Sequence, residues 1–218
     1  MTCPAGSYII DWRILLETTM KFSKAEAILL LVTLGYVGAF LVHFLTIGNT
    51  EFVGYIVTLL VFVGLLAATQ RIARFPLWLL WALSGWGLAH MAGGGLTVDG
   101  AVLYALVLAP IAGNGELIVL KYDQVVHAYG FGVAALVLWH VLRRNFPVLD
   151  GSRTLYVFAA LGAMGLGAVN EIIEFVAVVT LPDTNVGGYF NTGLDLIFNA
   201  IGATVAMLGA RRFGTGRG

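Results

Sequence analysis

Asp123 and His127 stand four residues apart, Glu171 and Glu174 three apart, and Asp195 and Asn199 four apart. Side chains at these separations share one face of a helix, so three segments each present two polar groups together. With His90 they form a set of nitrogen and oxygen donors: His90, Asp123, His127, Glu171, Glu174 and Asp195. That set suits Zn, Mn or Fe and contains no soft sulfur. Four carboxylates gathered in a low dielectric repel one another and take up protons, whereas a divalent cation neutralises two charges and lets them stay ionised. The expected chemistry is therefore activation of a metal-bound water, with the imidazoles and some carboxylates as ligands and one glutamate left as general base. Glu171, Glu174 and Asp195 are the candidate catalytic groups. Asn170, Asn191, Asn199 and Tyr189 are candidates for supporting them or touching substrate.

Each residue also has a purely structural reading. His127 can hydrogen-bond Asp123 one turn earlier, Glu171 and Glu174 can be a protonated pair, and Asp195 with Asn199 can join neighbouring helices. His43 has no companion motif and reads as a packing or interfacial histidine, and His140, beside Arg143 and Arg144, as a helix C-terminal residue. Asp99 follows a glycine-rich helix end and is expected to cap the next segment. Asp183 and Asn185 follow Pro182 and read as turn residues. Tyr122 and Tyr189 suit an aromatic belt at one membrane face, and Trp78, Trp81 and Trp139 one at the other.

The elements that must position these residues are set by composition. Of 218 residues, 59% are apolar and 11% charged, against roughly 25% charged in soluble domains. Mean hydropathy is +0.91. Runs of about 20 apolar residues are needed to cross the hydrocarbon core as helix. They place helices at 25 to 48, 52 to 70, 76 to 96, 123 to 142, 154 to 179 and 192 to 210, an all-α bundle of about six transmembrane helices. Residues 1 to 24 read as an interfacial or cytoplasmic segment carrying Asp11, Trp12, Arg13, Glu17 and Lys21; 25 to 210 form one helical domain, and 211 to 218 a tail. The stretch from Asp99 to Leu120 holds Pro110 and Ala112-Gly113-Asn114-Gly115-Glu116, which admits a short span pair, a re-entrant hairpin or an outer-face segment.

Orientation follows from Lys and Arg, which are in excess on cytoplasmic loops. Eleven of the twelve fall on one side of the proposed helices, and only Lys121 falls on the other. Both termini are therefore expected in the cytoplasm of a cell (inner) membrane protein. The polar motifs then lie roughly 5 to 15 Å inside the outer helix ends, at the 1.5 Å rise per residue. A lipid-facing charge at the bilayer centre costs about 2.5 to 3.5 kcal/mol on insertion scales, so these groups are expected to face an internal cavity. Equal numbers of acidic and basic residues speak against nucleic acid as partner, and the lone Cys3 excludes an intrachain disulfide or a thiolate metal site.

The motifs also carry a resemblance. Tyr122-Asp123-x-x-x-His127-x-x-Gly130, Asn170-Glu171-x-x-Glu174 and Gly187-Gly188-Tyr189-Phe190-Asn191-Thr192-Gly193-x-Asp195-x-x-x-Asn199-x-x-Gly202 resemble the YjdF-like family of bacterial inner-membrane proteins. They are more distantly similar to the VanZ-like family linked with glycopeptide resistance, although no arginine stands before the last helix. The resemblance spans roughly residues 76 to 210. It implies a helical membrane fold and a common site, without an established reaction.

Three functions compete. The first is a metal-dependent membrane hydrolase or transferase acting on a lipid or lipid-linked substrate. No serine or cysteine stands in the constellation, so direct attack by activated water or a substrate hydroxyl is expected rather than an acyl-enzyme. The second is a transporter or ion-coupled carrier, disfavoured by an inner half almost without ionisable groups. The third is a lipid- or glycopeptide-binding resistance protein. Oligomeric state is not encoded in any of these features.

Overall fold

The computed structural model describes residues 22–114, 117–182, 184 and 186–213. Cys3, Asp11, Trp12, Arg13, Glu17, Lys21, Glu116, Asp183, Asn185 and Arg217, and with them the readings of the N-terminal segment and the turn after Pro182, lie outside the described residues.

Six long helices form: α1 (Lys24–Ile47), α2 (Thr50–Ala73), α3 (Leu77–Gly95), α4 (Tyr122–Asn145), α5 (Arg153–Thr180) and α6 (Tyr189–Phe213). Their ends are written in short-range chemistry. Ser23 and Glu26 form a reciprocal capping box at the start of α1, and Gly48 at φ 70° ends it in the left-handed conformation. The Asn49 side chain caps α2 by accepting from the Phe52 amide at 3.1 Å, and Ser152 caps α5 through the Leu155 amide at 3.2 Å. All the helices except α3 are long and apolar enough to cross a membrane. The shorter α3 is diluted by tryptophans, glycines and His90, and lies packed between α1 and α4.

The bundle is an all-α membrane architecture. Side chains such as Leu31, Val42, Phe62 and Phe175 point outward, as hydrocarbon-facing positions do. Inside, α4, α5 and α6 share a core of small and large residues: Phe131, Ala134, Ala135, Ala159, Ala163, Ala203 and Met207. A second cluster, with Val37, Phe44, Phe52, Ile56 and Met91, ties α1, α2 and α3 together. α4 and α6 approach closely at Gly202, where any Cβ would run into the Ala128 carbonyl. With no side chain there, the backbones of α4 and α6 touch, and residues on either side of the contact are brought into register.

Between α3 and α4 the chain builds two small antiparallel hairpins. In the first, β1 (Thr97–Val98) pairs with β2 (Ala101–Val102) around Asp99 and Gly100, both at positive φ, 51° and 82°. This is the two-residue hairpin turn that Asp-Gly favours, so Asp99 makes a turn and does not cap a following helix. A 3-10 turn (Leu103–Ala105) leads into β3 (Val107–Asn114), paired with β4 (Leu117–Lys121). The ladder is irregular between Val107 and Ala112, where Pro110 has no amide to offer. A two-stranded ribbon leaves edge amides and carbonyls that hydrocarbon cannot satisfy. The span pair admitted from sequence at 99 to 120 is therefore replaced by hairpins lying over one end of the bundle. Gln124, fully buried in α4, clamps them: its Oε1 accepts from the Leu120 and Lys121 amides at 3.1 Å each, and its Nε2 donates to the Ile118 carbonyl at 3.1 Å.

All the described basic residues but Lys121, which ends β4, gather at the opposite end. Lys24, Arg74, Arg143, Arg144, Arg153, Arg211 and Arg212 all stand at or just beyond helix termini on that side, with Arg71 in the last turn of α2.

Candidate functional site

The three motif pairs converge at the hairpin end of α4, α5 and α6. Asp123 and His127 come from the first two turns of α4, Asn170, Glu171 and Glu174 from the second half of α5, and Asn191, Asp195 and Asn199 from the first half of α6. His127 is 7% exposed, Glu171 7%, Asp195 0% and Asn199 1%, so the acid and imidazole groups are withdrawn from lipid as their charge requires. Ligating atoms of Asp123, His127 and Asp195 lie within 4.8 Å of one another, and so do those of His127, Glu171 and Glu174. His127 belongs to both groups.

The two ring nitrogens of His127 face different partners. Nδ1 lies 3.0 Å from Asn199 Oδ1 and 3.7 Å from Glu171 Oε1. Both are oxygens that only accept, so Nδ1 carries the proton. In the neutral ring Nε2 is then a lone pair, and it lies 3.5 Å from Asp123 Oδ1. A lone pair facing a carboxylate in a buried setting is repulsive unless a cation or a proton stands between them.

Amide groups hold the carboxylates in place. Asn191 Nδ2 donates to Asp123 Oδ2 at 3.1 Å and also to Asp195 Oδ2, which joins α4 to α6 across the site. Asn170 Nδ2 donates to Glu174 Oε1 at 2.7 Å. Both Glu171 oxygens, Asp195 Oδ1 and Asn199 Nδ2 are buried without a hydrogen-bond partner among the described residues. Buried polar atoms in native proteins are almost always satisfied, and carboxylate oxygens left over beside a histidine are able to bind a cation or a donor.

His90 stands apart from both groups. Its ring packs against Phe52, Tyr55 and Tyr104, and Tyr104 bonds its Nδ1. Burial, followed by the charge of Asp123, pushes the Tyr104 phenol well above its ordinary range and keeps it neutral. Its hydroxyl lies between that ring nitrogen and the His90 carbonyl, which it reaches at 3.1 Å. A cavity of about 30 Å³ separates the two histidine regions, lined by Glu51, His90, Tyr104, Asp123, Glu174 and Asn191 among others. That is room for a water or an ion.

Several of these residues are not singled out by spacing in the sequence. Glu51 reads there as an ordinary acidic residue in the first turn of a helix, yet it is 5% exposed and borders the cavity with Tyr55, one turn on. Its i, i+4 relation to Tyr55 is the only signal that could have found it. Tyr104 arrives from the 3-10 turn, which no helical period marks. Tyr122, expected at an interface, donates to the Ala89 carbonyl at 3.1 Å and ties α4 to α3. Tyr189 is 88% exposed, stacks edge-on against Phe190 and does not line the cavity. His43 and His140 each contact a backbone carbonyl at 2.8 Å, of Gly95 and Ala73 respectively, in line with packing and helix-terminal roles. Trp78 and Trp81 are exposed as belt residues should be, whereas Trp139 packs against the alanine-rich core beneath Arg143.

The fold and the site together define a polytopic helical membrane protein with a buried acid and histidine centre at one end. Residues 28–215 match the model of the family described as "Predicted membrane protein (DUF2238)", and the chain belongs to that family. Neither a curated protein nor a solved structure matches it.

Proposed function

We propose that the protein is a metal-dependent membrane enzyme, of the YjdF-like kind that its motifs resemble, acting by hydrolysis or group transfer on a lipid or lipid-linked substrate. What supports this most directly is the His127 lone pair set against Asp123 with Asp195 beside it. A divalent cation at that point, Zn, Mn or Fe by donor type, turns the repulsion into coordination and leaves Asp123 and Asp195 ionised. Asn199 then acts as the acceptor that fixes the ring orientation of a ligating histidine.

In this reading Asp123, His127 and Asp195 would hold the cation, and its chemistry would be to make a water nucleophilic near neutral pH. Glu174, oriented by Asn170 and bordering the cavity, would take the proton from a water or substrate hydroxyl as its oxygen attacks an electrophilic carbon or phosphorus, and would return it to the leaving oxygen as the bond to the leaving group breaks. Glu171 receives the His127 Nδ1 side and is a further proton acceptor or ligand. His90 reaches the cavity from α3 and is a further candidate ligand. The basic residues at the opposite end support a reading with both termini in the cytoplasm and the centre toward the outer leaflet of the inner membrane.

Elemental analysis of the purified protein tests the reading. It is expected to give a near-stoichiometric transition metal that is lost in His127→Ala and Asp195→Asn and kept in Glu174→Gln, with Glu174→Gln alone abolishing turnover of the bound-metal form. Absence of any metal after loading with Zn, Mn and Fe would overturn it, and would leave a doubly protonated His127 paired to Asp123 and Glu171. The alternative of an ion-coupled carrier has one observation in its favour: the cavity is sized for an ion and is bordered by groups from five helices, α2 to α6. Metal-independent proton or cation flux in liposomes, abolished by Asp123→Asn, would decide for it.

A further inference from the structure

The donors of the buried centre do not all converge on one point. Among the described residues they fall into two groups, Asp123 with His127 and Asp195, and His127 with Glu171 and Glu174, that meet only in the imidazole. An ion bound at about 2.0 to 2.2 Å holds its donor atoms no more than about 4.4 Å apart, so one ion serves one group. The imidazole belongs to the first, because its Nε2 lone pair faces Asp123 and its Nδ1–H is turned to Asn199. A cation there leaves Glu171 and Glu174 unserved.

Those two carboxylates are not satisfied in any other way. Glu171 is 7% exposed, and neither of its oxygens has a hydrogen-bond partner among the described residues. His127 Nδ1 stands 3.7 Å from Oε1, beyond hydrogen-bond range. Glu174, on the same face of α5, commits Oε1 to Asn170, which leaves Oε2 for another partner. Of the described Lys and Arg residues only Lys121 lies at this end of the bundle. A buried pair of acids without a basic partner takes either a cation or a proton. With oxygen donors alone the pair suits Mg or Mn better than Zn, and Mg is commonly held by one or two carboxylates, several waters and a substrate phosphate. The cavity of about 30 Å³ that Glu174 borders has room for such a water.

We propose that Glu171 and Glu174 hold a second divalent cation, Mg or Mn, and that the resulting two-cation centre takes a phosphate ester, whose phosphate oxygens complete the coordination. Glu171, with both oxygens open, is the direct ligand. Glu174 reaches the cation through one of its waters and so keeps its place as proton acceptor. This rests on the metal reading of the first group and extends it to a substrate class. Charge sets that class: one divalent cation leaves the carboxylates of Asp123, Glu171, Glu174 and Asp195 with an excess of negative charge that repels a phosphate. A second cation balances them and offers the phosphate oxygens open positions.

Counting metals tests it. The full-length protein, purified in detergent and stripped with a chelator, is loaded with one equivalent of Zn before Mn is added, and bound metal is measured by equilibrium dialysis and elemental analysis. One Zn and one Mn per chain are expected. Glu171→Gln is expected to keep its Zn, which also shows that the variant is folded. Its Mn affinity is expected to fall by more than the roughly 10-fold that an outer partner of a metal ligand contributes. Glycerol 3-phosphate is expected to tighten Mn binding to the Zn-loaded wild type, and glycerol is not. Failure to bind Zn would sink the reading on which the proposal rests. Zn without Mn, Mn that merely displaces Zn, or undiminished Mn affinity in Glu171→Gln would overturn the second site alone, and an inert glycerol 3-phosphate would overturn the phosphate-ester substrate.

Discussion

His127 sits where three helices meet, and its two nitrogens meet opposite demands. Nδ1 faces acceptors from α5 and α6, while Nε2 faces a carboxylate of its own helix. Asn199 is therefore expected to act through the imidazole. Asn199→Leu removes the acceptor that fixes the ring while leaving every candidate ligand in place, and is expected to lower metal affinity about 10–100-fold. Titration with Zn or Mn followed by equilibrium dialysis reads this, with helical content by circular dichroism as the folding control. A variant that keeps wild-type affinity would reduce Asn199 to interhelical packing. The carboxylates depend on neighbours in the same way: one asparagine, Asn191, bonds both Asp123 and Asp195 and so sets their separation.

Among the elements, α4 and α6 carry most of the site, and they are held together by backbone contact at Gly202. Gly202→Val places two methyl groups against the Ala128 carbonyl. Overpacking of this kind costs about 1–3 kcal/mol, and the helices must separate to relieve it. A lower unfolding midpoint in detergent, together with weakened metal binding, is expected, because His127 and Asn199 lie on either side of that contact. An unchanged midpoint would mean that the bundle is looser there than its geometry implies. The hairpins are the other decisive element. They carry Tyr104 to His90 and are anchored by Gln124, so the segment that lacks helical character closes the site end of the bundle.

For the whole molecule, the separation of charge is the governing feature. Acidic and imidazole groups collect inside one end and arginines ring the other, which is the asymmetry that orients a helical membrane protein. With Cys3 replaced by serine, Leu108→Cys in β3 is expected to react with a membrane-impermeant maleimide on intact cells. Val148→Cys, 89% exposed in the turn between α4 and α5, is expected to react only after lysis. The reverse pattern would turn the protein over and place its centre at the cytoplasmic face.

The membrane class, the six helices and the pairing of Asp123 with His127, Glu171 with Glu174 and Asp195 with Asn199 were legible in the sequence. These depend on local quantities: the length of apolar runs and the repeat of the helix, which one strand of residues encodes by itself. Glu51, Tyr104 and Gln124 were not legible, since their roles arise from contacts between segments far apart in the chain. The segment from 99 to 120 stayed open among a short span pair, a re-entrant hairpin and an outer-face segment for a related reason. Apolar residues broken by Pro110 and glycines fit all three, and pairing across the turn decides among them. Only the tertiary structure could set His127 Nδ1 against Asn199 and Glu171 and leave Nε2 toward Asp123. The tautomer of an imidazole is chosen by what surrounds it, and here that means side chains from two other helices.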